Sequence, residues 1–194
     1  GKYVKRFEED FAKFVGLKHG ISNSNGTTAL HLAVEALGIG EGDEVIVPDF
    51  TMMAVPNSVF YAGATPITID SESETWNMDP ALIEERITDK TKAIIVASVY
   101  GHPADMDKIM AIAKKHNLKV IEDCAEGHGA TYDGKMCGTF GDIACFSFYG
   151  NKIIATGEGG MCLTNDDALA EEMRKLKNHY FGNPPFLHDK LGYN

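Results

Sequence analysis

The 194-residue chain has little of what marks the specialised protein classes. Its four cysteines, Cys124, Cys137, Cys145 and Cys162, form no C-x-x-C pair, which argues against a zinc-finger or redox motif and gives no disulfide framework. All four stand among apolar or glycine residues, so they are expected as buried free thiols of a cytoplasmic protein. In that setting the acceptor pattern Asn25-Gly26-Thr27 is an accidental match rather than a glycosylation site. Positive charge is scarce: 18 Lys and Arg stand against 28 Asp and Glu, a net charge of −10. A field of that sign repels polyanions, so neither nucleic acid nor an anionic membrane surface is an expected partner. No apolar run approaches the ~20 residues of a membrane span. Internal repeats and low-complexity tracts are absent, as are the Walker and G-x-G-x-x-G phosphate loops. What remains is ordinary: 44% hydrophobic and 24% charged residues, the composition of a globular domain long enough to bury a real core.

Hydrophobic spacing divides the chain into alternating helices and strands. Val4, Phe7, Phe11, Phe14 and Val15 recur at helical spacing over 3–15, and Gly16 follows as a stop. An extended piece is expected at 20–22. A capped helix over 29–37 then ends at Gly38 and is entered through Ser24-Asn25-Gly26-Thr27-Thr28. Strands are expected at 44–47, 65–69, 92–99, 118–121, 143–148 and 160–164, and helices at 52–61, 80–86, 105–116 and 166–179. Pro56 must kink the helix over 52–61 or lie in its first turn. Asp79 is a good N-cap for the short helix at 80–86, and the tail from Asn183 to Asn194 reads as loop. This alternation implies an α/β fold, a mostly parallel sheet with helices on both faces.

Three places can carry chemistry. At Ser24 to Thr28, small residues open a helix, leaving backbone N–H groups free at its positive end. That is a phosphate site needing no net positive charge, although an ordinary N-cap reads the same way. At Ile121-Glu122-Asp123-Cys124-Ala125-Glu126-Gly127-His128 an apolar strand runs into adjacent carboxylates. Ligands collect at the carboxyl ends of parallel strands, and a carboxylate there can hold a cationic group, although a solvated strand end is an equal reading. His128 beside Asp123 and Cys124 suggests a metal, but no second ligand cluster accompanies it, so no metal is expected. At Ser147-Phe148-Tyr149-Gly150-Asn151-Lys152 a lysine follows a strand in an apolar, glycine-rich stretch. Such a lysine loses solvation, which favours the neutral, nucleophilic amine; taken alone it reads rather as a surface lysine on a loop. Together the three places supply what pyridoxal 5′-phosphate needs: N–H donors for the phosphate, an aspartate for the pyridinium nitrogen, and a lysine for the aldehyde.

On these residues the sequence resembles the DegT/DnrJ/EryC1/StrS sugar aminotransferases, which are fold-type I pyridoxal phosphate enzymes. The resemblance runs over 1–194, with the most specific motifs at 122–130 and 146–161. It implies a PLP-binding large domain over 1–194, built on a seven-stranded, mostly parallel sheet flanked by helices. Family chains are longer and add a smaller C-terminal domain, so this chain is expected to be part of a longer one. Lys152 and Asp123 would be the catalytic pair, Lys152 bonded to the cofactor and Asp123 paired with its ring nitrogen. Glu126 would lie near the phenolic oxygen, and Gly26, Thr27 and Ser147 would bind the phosphate. Asn194 matches an asparagine that reaches the phosphate of a neighbouring subunit, which implies a homodimer with shared active sites. Met52 stands where the family often carries an aromatic that stacks on the ring; a thioether can also pack on a ring face. The implied reaction moves an amino group from glutamate to a nucleotide-linked keto-sugar of the 4-keto-6-deoxy type. The alternatives are a sugar dehydration or other fold-type I lyase reaction, and a non-catalytic cofactor-binding regulatory module. Relatives that became dehydratases carry histidine for the lysine, so Lys152 favours transamination; intact Lys152, Asp123 and Ser147 argue against the non-catalytic module.

Overall fold

The computed structural model of the chain describes residues 1–182, 184 and 186–194. The first helix, α1 (Lys2–Val15), buries Phe11, Ala12 and Val15 and is closed by Gly16. Strand β1 (His19–Asn23) leads into α2 (Gly26–Ala36). Asn25 caps α2 by accepting from Thr28 N–H at 2.9 Å, and Thr28 Oγ1 reciprocates by accepting from Asn25 N–H at 3.2 Å. The helix therefore starts three residues before the expected Ala29, because this reciprocal cap offsets the weak helix propensity of glycine and threonine. Strand β2 (Glu44–Pro48) is followed by α3 (Ala54–Tyr61) and β3 (Thr65–Ile69). Pro56 lies in the first turn of α3, where its missing N–H costs nothing, and Met52 and Met53 stay outside the helix. The helix expected at 80–86 is two single 3-10 turns, Pro80–Leu82 and Glu84–Arg86, with Asp79 capping the first.

Strand β4 (Thr91–Ala97) ends two residues earlier than expected, and a strained turn, Val99–Gly101, follows it. Next come α4 (Met106–His116) and β5 (Lys119–Asp123), a strand that runs two residues further than expected and so includes both carboxylates. A small hairpin, β6 (Thr131–Tyr132) and β7 (Lys135–Met136), was not anticipated. Strands β8 (Ile143–Ser147) and β9 (Gly160–Thr164) then lead to α5 (Asp167–Leu176), which ends short of 179 as His179 and Tyr180 turn left-handed. Of the tail read as loop, Asn183 and Pro185 lie outside the described residues. Its described part holds only a bridge between Phe181 and His188.

The seven-stranded sheet has the order β1-β9-β8-β5-β4-β2-β3. Strand β9 is antiparallel to both neighbours and every other pair is parallel. Strand alternation sorts the core. Ala93, Ile95, Ile121 and Ile143 pack with α2, α3 and α5 on one face. Ile94, Val96 and Val120 pack with α4 on the other, while Ala144 and Phe146 on that side meet α1. Each fully buried isoleucine contributes about 1.5–3 kcal/mol, so the sheet is a rigid platform. In register, Ala97 lies beside Asp123 and Asp123 beside Cys145, so β4 and β5 end level and β8 runs two residues beyond them, to Ser147. All four cysteines are buried and free. Among the described residues no helix is long and apolar enough to cross a membrane.

Candidate active site

A cavity of about 610 Å³ opens at the carboxyl ends of the parallel strands, on the α2 face of the sheet. Gly26, Thr27, Met52, Asp123, Glu126, Ser147 and Lys152 all line it. Asn194, exposed at the far end of the chain, does not line this cavity of its own chain.

The pleat decides what each carboxylate of β5 does. Asp123 shares the face of Ile121 and reaches the cavity. Glu122, one residue earlier, points to the other face and is buried there. Its carboxylate accepts N–H bonds from Gly138 at 2.8 Å and from Phe140 and Gly141 at 2.7 Å. Burial pushes the Glu122 carboxyl above its usual value, opposed by these donors, and it serves as the anchor of the loop after β7. Asp123 is 7% exposed. Burial pushes its carboxyl up to about 6; the N–H of Ala125 and the charge of Lys152 pull it down, and Glu126 pushes it up. Ala125 N–H donates to Asp123 Oδ1 at 3.0 Å.

Lys152 sits on the turn after β8, where its N–H bonds to the Tyr149 carbonyl at 2.9 Å. Its side chain is 19% exposed, and Nζ lies 3.5 Å from Glu126 Oε1. The amine thus meets carboxylates rather than the apolar surroundings expected from the flanking sequence. The other oxygen of Glu126 accepts from Tyr100 N–H at 2.8 Å.

The phosphate cradle is built from α2 and β8. The N–H groups of Gly26 and Thr27, the first two of α2, have no acceptor within the helix and carry its positive end. The buried Ser147 faces them. A Cβ on Gly26 would lie 2.8 Å from Ser147 Cβ and 3.2 Å from its Oγ, so a side chain there would fill the cradle. Gly160 lets the backbone of β9 approach as closely, since a Cβ there would collide with the Asn25 carbonyl. This donor set, one anion and one amine match the phosphate, ring nitrogen and aldehyde of pyridoxal phosphate.

His128 does not join Asp123 and Cys124 in a metal site; it packs among Phe11, Phe146 and Phe148 at ring separations of 6.1, 5.4 and 5.5 Å. Burial pushes its pKa down, and the charge of Lys152 adds to that. Among the described residues no group of three His, Cys, Asp or Glu is placed to hold a metal ion.

Sequence reasoning missed Phe50, Ser98, Tyr100, Asn151 and Glu158, which also line the cavity. The rule that placed a ligand at the end of β5 applies equally to β2 and β4, and it points to Phe50, Ser98 and Tyr100.

Residues 1–194 match the family model of the DegT/DnrJ/EryC1/StrS aminotransferase family. The GDP-perosamine synthase of Escherichia coli O157:H7 is 52% identical over 195 residues, covering 100% of this chain and 54% of the relative. That of Caulobacter vibrioides is 56% identical over 177 residues, covering 91% of this chain and 48% of the relative. The crystal structure of an aminotransferase from Psychrobacter cryohalolentis superposes with a TM-score of 0.95 at 44% identity, covering 100% of this chain and 52% of that one. The chain belongs to the DegT/DnrJ/EryC1/StrS aminotransferase family, whose members depend on pyridoxal phosphate. It spans about half the length of the curated relatives it matches.

Proposed function

We propose that the chain carries the cofactor site of a pyridoxal-phosphate-dependent aminotransferase that moves an amino group from glutamate to a nucleotide-linked keto-sugar. The convergence of Lys152, Asp123 and the α2–Ser147 cradle on one cavity carries this reading. The two GDP-perosamine synthase relatives favour a 4-keto-6-deoxy sugar as acceptor.

When bound, pyridoxal phosphate supplies an aldehyde that holds an amine and a ring that accepts the electron pair left when a proton departs from the adjacent carbon. The chain's residues divide the remaining work. Gly26 and Thr27 N–H and Ser147 Oγ would donate to the phosphate. The Asp123 carboxylate would pair with the ring nitrogen and keep it protonated. Glu126 would hold the phenolic-oxygen side and, at rest, lies 3.5 Å from the Lys152 amine. The Met52 thioether would pack on the ring. Lys152, once neutral, would take the proton from the α-carbon of the donor, the step of a general base. A second copy of the chain would supply Asn194, which does not line the cavity of its own chain.

The test follows labelled nitrogen from glutamate into a panel of nucleotide-linked keto-sugars. Label should appear in the product with wild-type protein and be lost with Lys152→Ala. Transfer that survives in Lys152→Ala would remove that residue from the chemistry.

A further inference from the structure

Three aromatic side chains stand together at the cavity, two in its lining and the third packed against one of them. Phe50 follows β2, Tyr100 lies on the turn after β4, and Trp76, the one tryptophan in the sequence, is on the loop between β3 and the first 3-10 turn. The Phe50 ring meets Trp76 edge-on at 5.3 Å and Tyr100 edge-on at 6.2 Å. Trp76 is 58% and Tyr100 81% exposed, so much of both side chains is open to a ligand. Phe50 and Tyr100 also line the cavity that ends at Lys152.

The backbone bears a cost to hold them there. Trp76 has φ 64° and Tyr100 φ 50°, a region that bulky side chains avoid and that persists only where the surroundings enforce it. Two clips do so. Glu126 accepts from Tyr100 N–H at 2.8 Å. The buried Asn77, next to Trp76, accepts from Val99 N–H at 3.2 Å and donates to the His102 carbonyl at 3.1 Å. Asn77 thereby ties the tryptophan loop to the tyrosine turn, and the site carboxylate Glu126 ties that turn to Lys152.

We propose that Phe50, Trp76 and Tyr100 form a stacking subsite for the planar heteroaromatic base of the nucleotide-linked substrate. The proposal rests on the aminotransferase reading above. A ligand whose reacting carbon lies at Lys152 shares its cavity with Phe50 and Tyr100, and Trp76 packs against Phe50 just outside the lining. Charge cannot supply the grip: Lys152 is the only cationic side chain among the described lining residues, and the net charge is −10. Stacking on neutral π faces needs no cation and accepts any base.

Trp76 is its own reporter. The cofactor-loaded chain is titrated with GDP, and with inorganic pyrophosphate as the arm that lacks a base. GDP should quench Trp76 emission and pyrophosphate at equal concentration should not. By calorimetry, Trp76→Ala and Tyr100→Ala should each weaken GDP about ten-fold, the loss of one base–aromatic stack, and Trp76→Phe should bind nearly as wild type. The proposal is overturned if both alanine variants bind GDP as wild type does, or if pyrophosphate binds as tightly as GDP. It is also overturned if Trp76→Ala separates two copies of the chain without changing GDP affinity, since the rings would then serve a subunit contact. Cofactor attachment at Lys152 and amine uptake from glutamate need no nucleotide. If both occur and GDP binding fails these tests, stacking is wrong and the aminotransferase reading stands; if Lys152 takes up no cofactor, that reading itself fails.

Discussion

Glu122 and Asp123 are the same kind of group one residue apart, yet substitution should move stability in opposite directions. Glu122 receives three backbone N–H bonds. Glu122→Ala leaves those donors buried and unpaired, and should lower folding stability by at least about 3 kcal/mol in a denaturant titration. Asp123 is buried against its own charge. Its carboxyl rises from 3.8 to about 6 on folding, so the folded chain binds the proton more tightly than the unfolded chain does. The resulting stability is present below 3.8 and is lost as pH rises through about 6. Asp123→Asn should therefore stabilise the cofactor-free chain at pH well above 6, by up to about 3 kcal/mol. The difference should vanish in acid, and the same variant should lose the cofactor. Wild-type cofactor affinity should likewise fall as pH drops through about 6, where Asp123 gains its proton.

At the scale of elements, the N-terminus of α2 is the part most exposed to small changes. Gly26→Ala drives a methyl group into Ser147 and displaces the N–H groups aimed at the phosphate. Equilibrium dialysis should show cofactor affinity reduced at least about ten-fold, the worth of one charge-assisted hydrogen bond. Much of this element was legible: Asn25 and Thr28 are strong capping residues, although Gly26 and Thr27 hid the true start. The hairpin at β6 and β7 is marked in the sequence as well, because Asp133-Gly134 is a strong two-residue turn signal. The turn after β4 is not. Its apolar run continues through Val99, and only Glu126 and Asn77, distant in sequence, hold Tyr100 in a left-handed conformation that no local preference favours.

At the scale of the molecule, the sheet explains why distant motifs form one site. Lys152, Asp123 and Gly26 are far apart along the chain, but parallel strands bring their carboxyl ends to one edge. The order of strands could not be read from hydrophobic alternation, since the buried runs of β2, β4 and β5 look alike. The proposed sharing of sites between two copies can be tested by mixing variants. Lys152→Ala and Asn194→Ala chains, each deficient alone, should form mixed dimers in which one site has both residues. Cofactor retention should then exceed the average of the two variants; retention equal to that average would place Asn194 outside the site.

Borohydride reduction followed by peptide mass spectrometry locates the cofactor on the chain. One cofactor should be fixed to the peptide carrying Lys152, and none in Lys152→Ala. A chain that retains no cofactor, or that carries it on another lysine, would show that the fold does not assemble a pyridoxal phosphate site around Lys152.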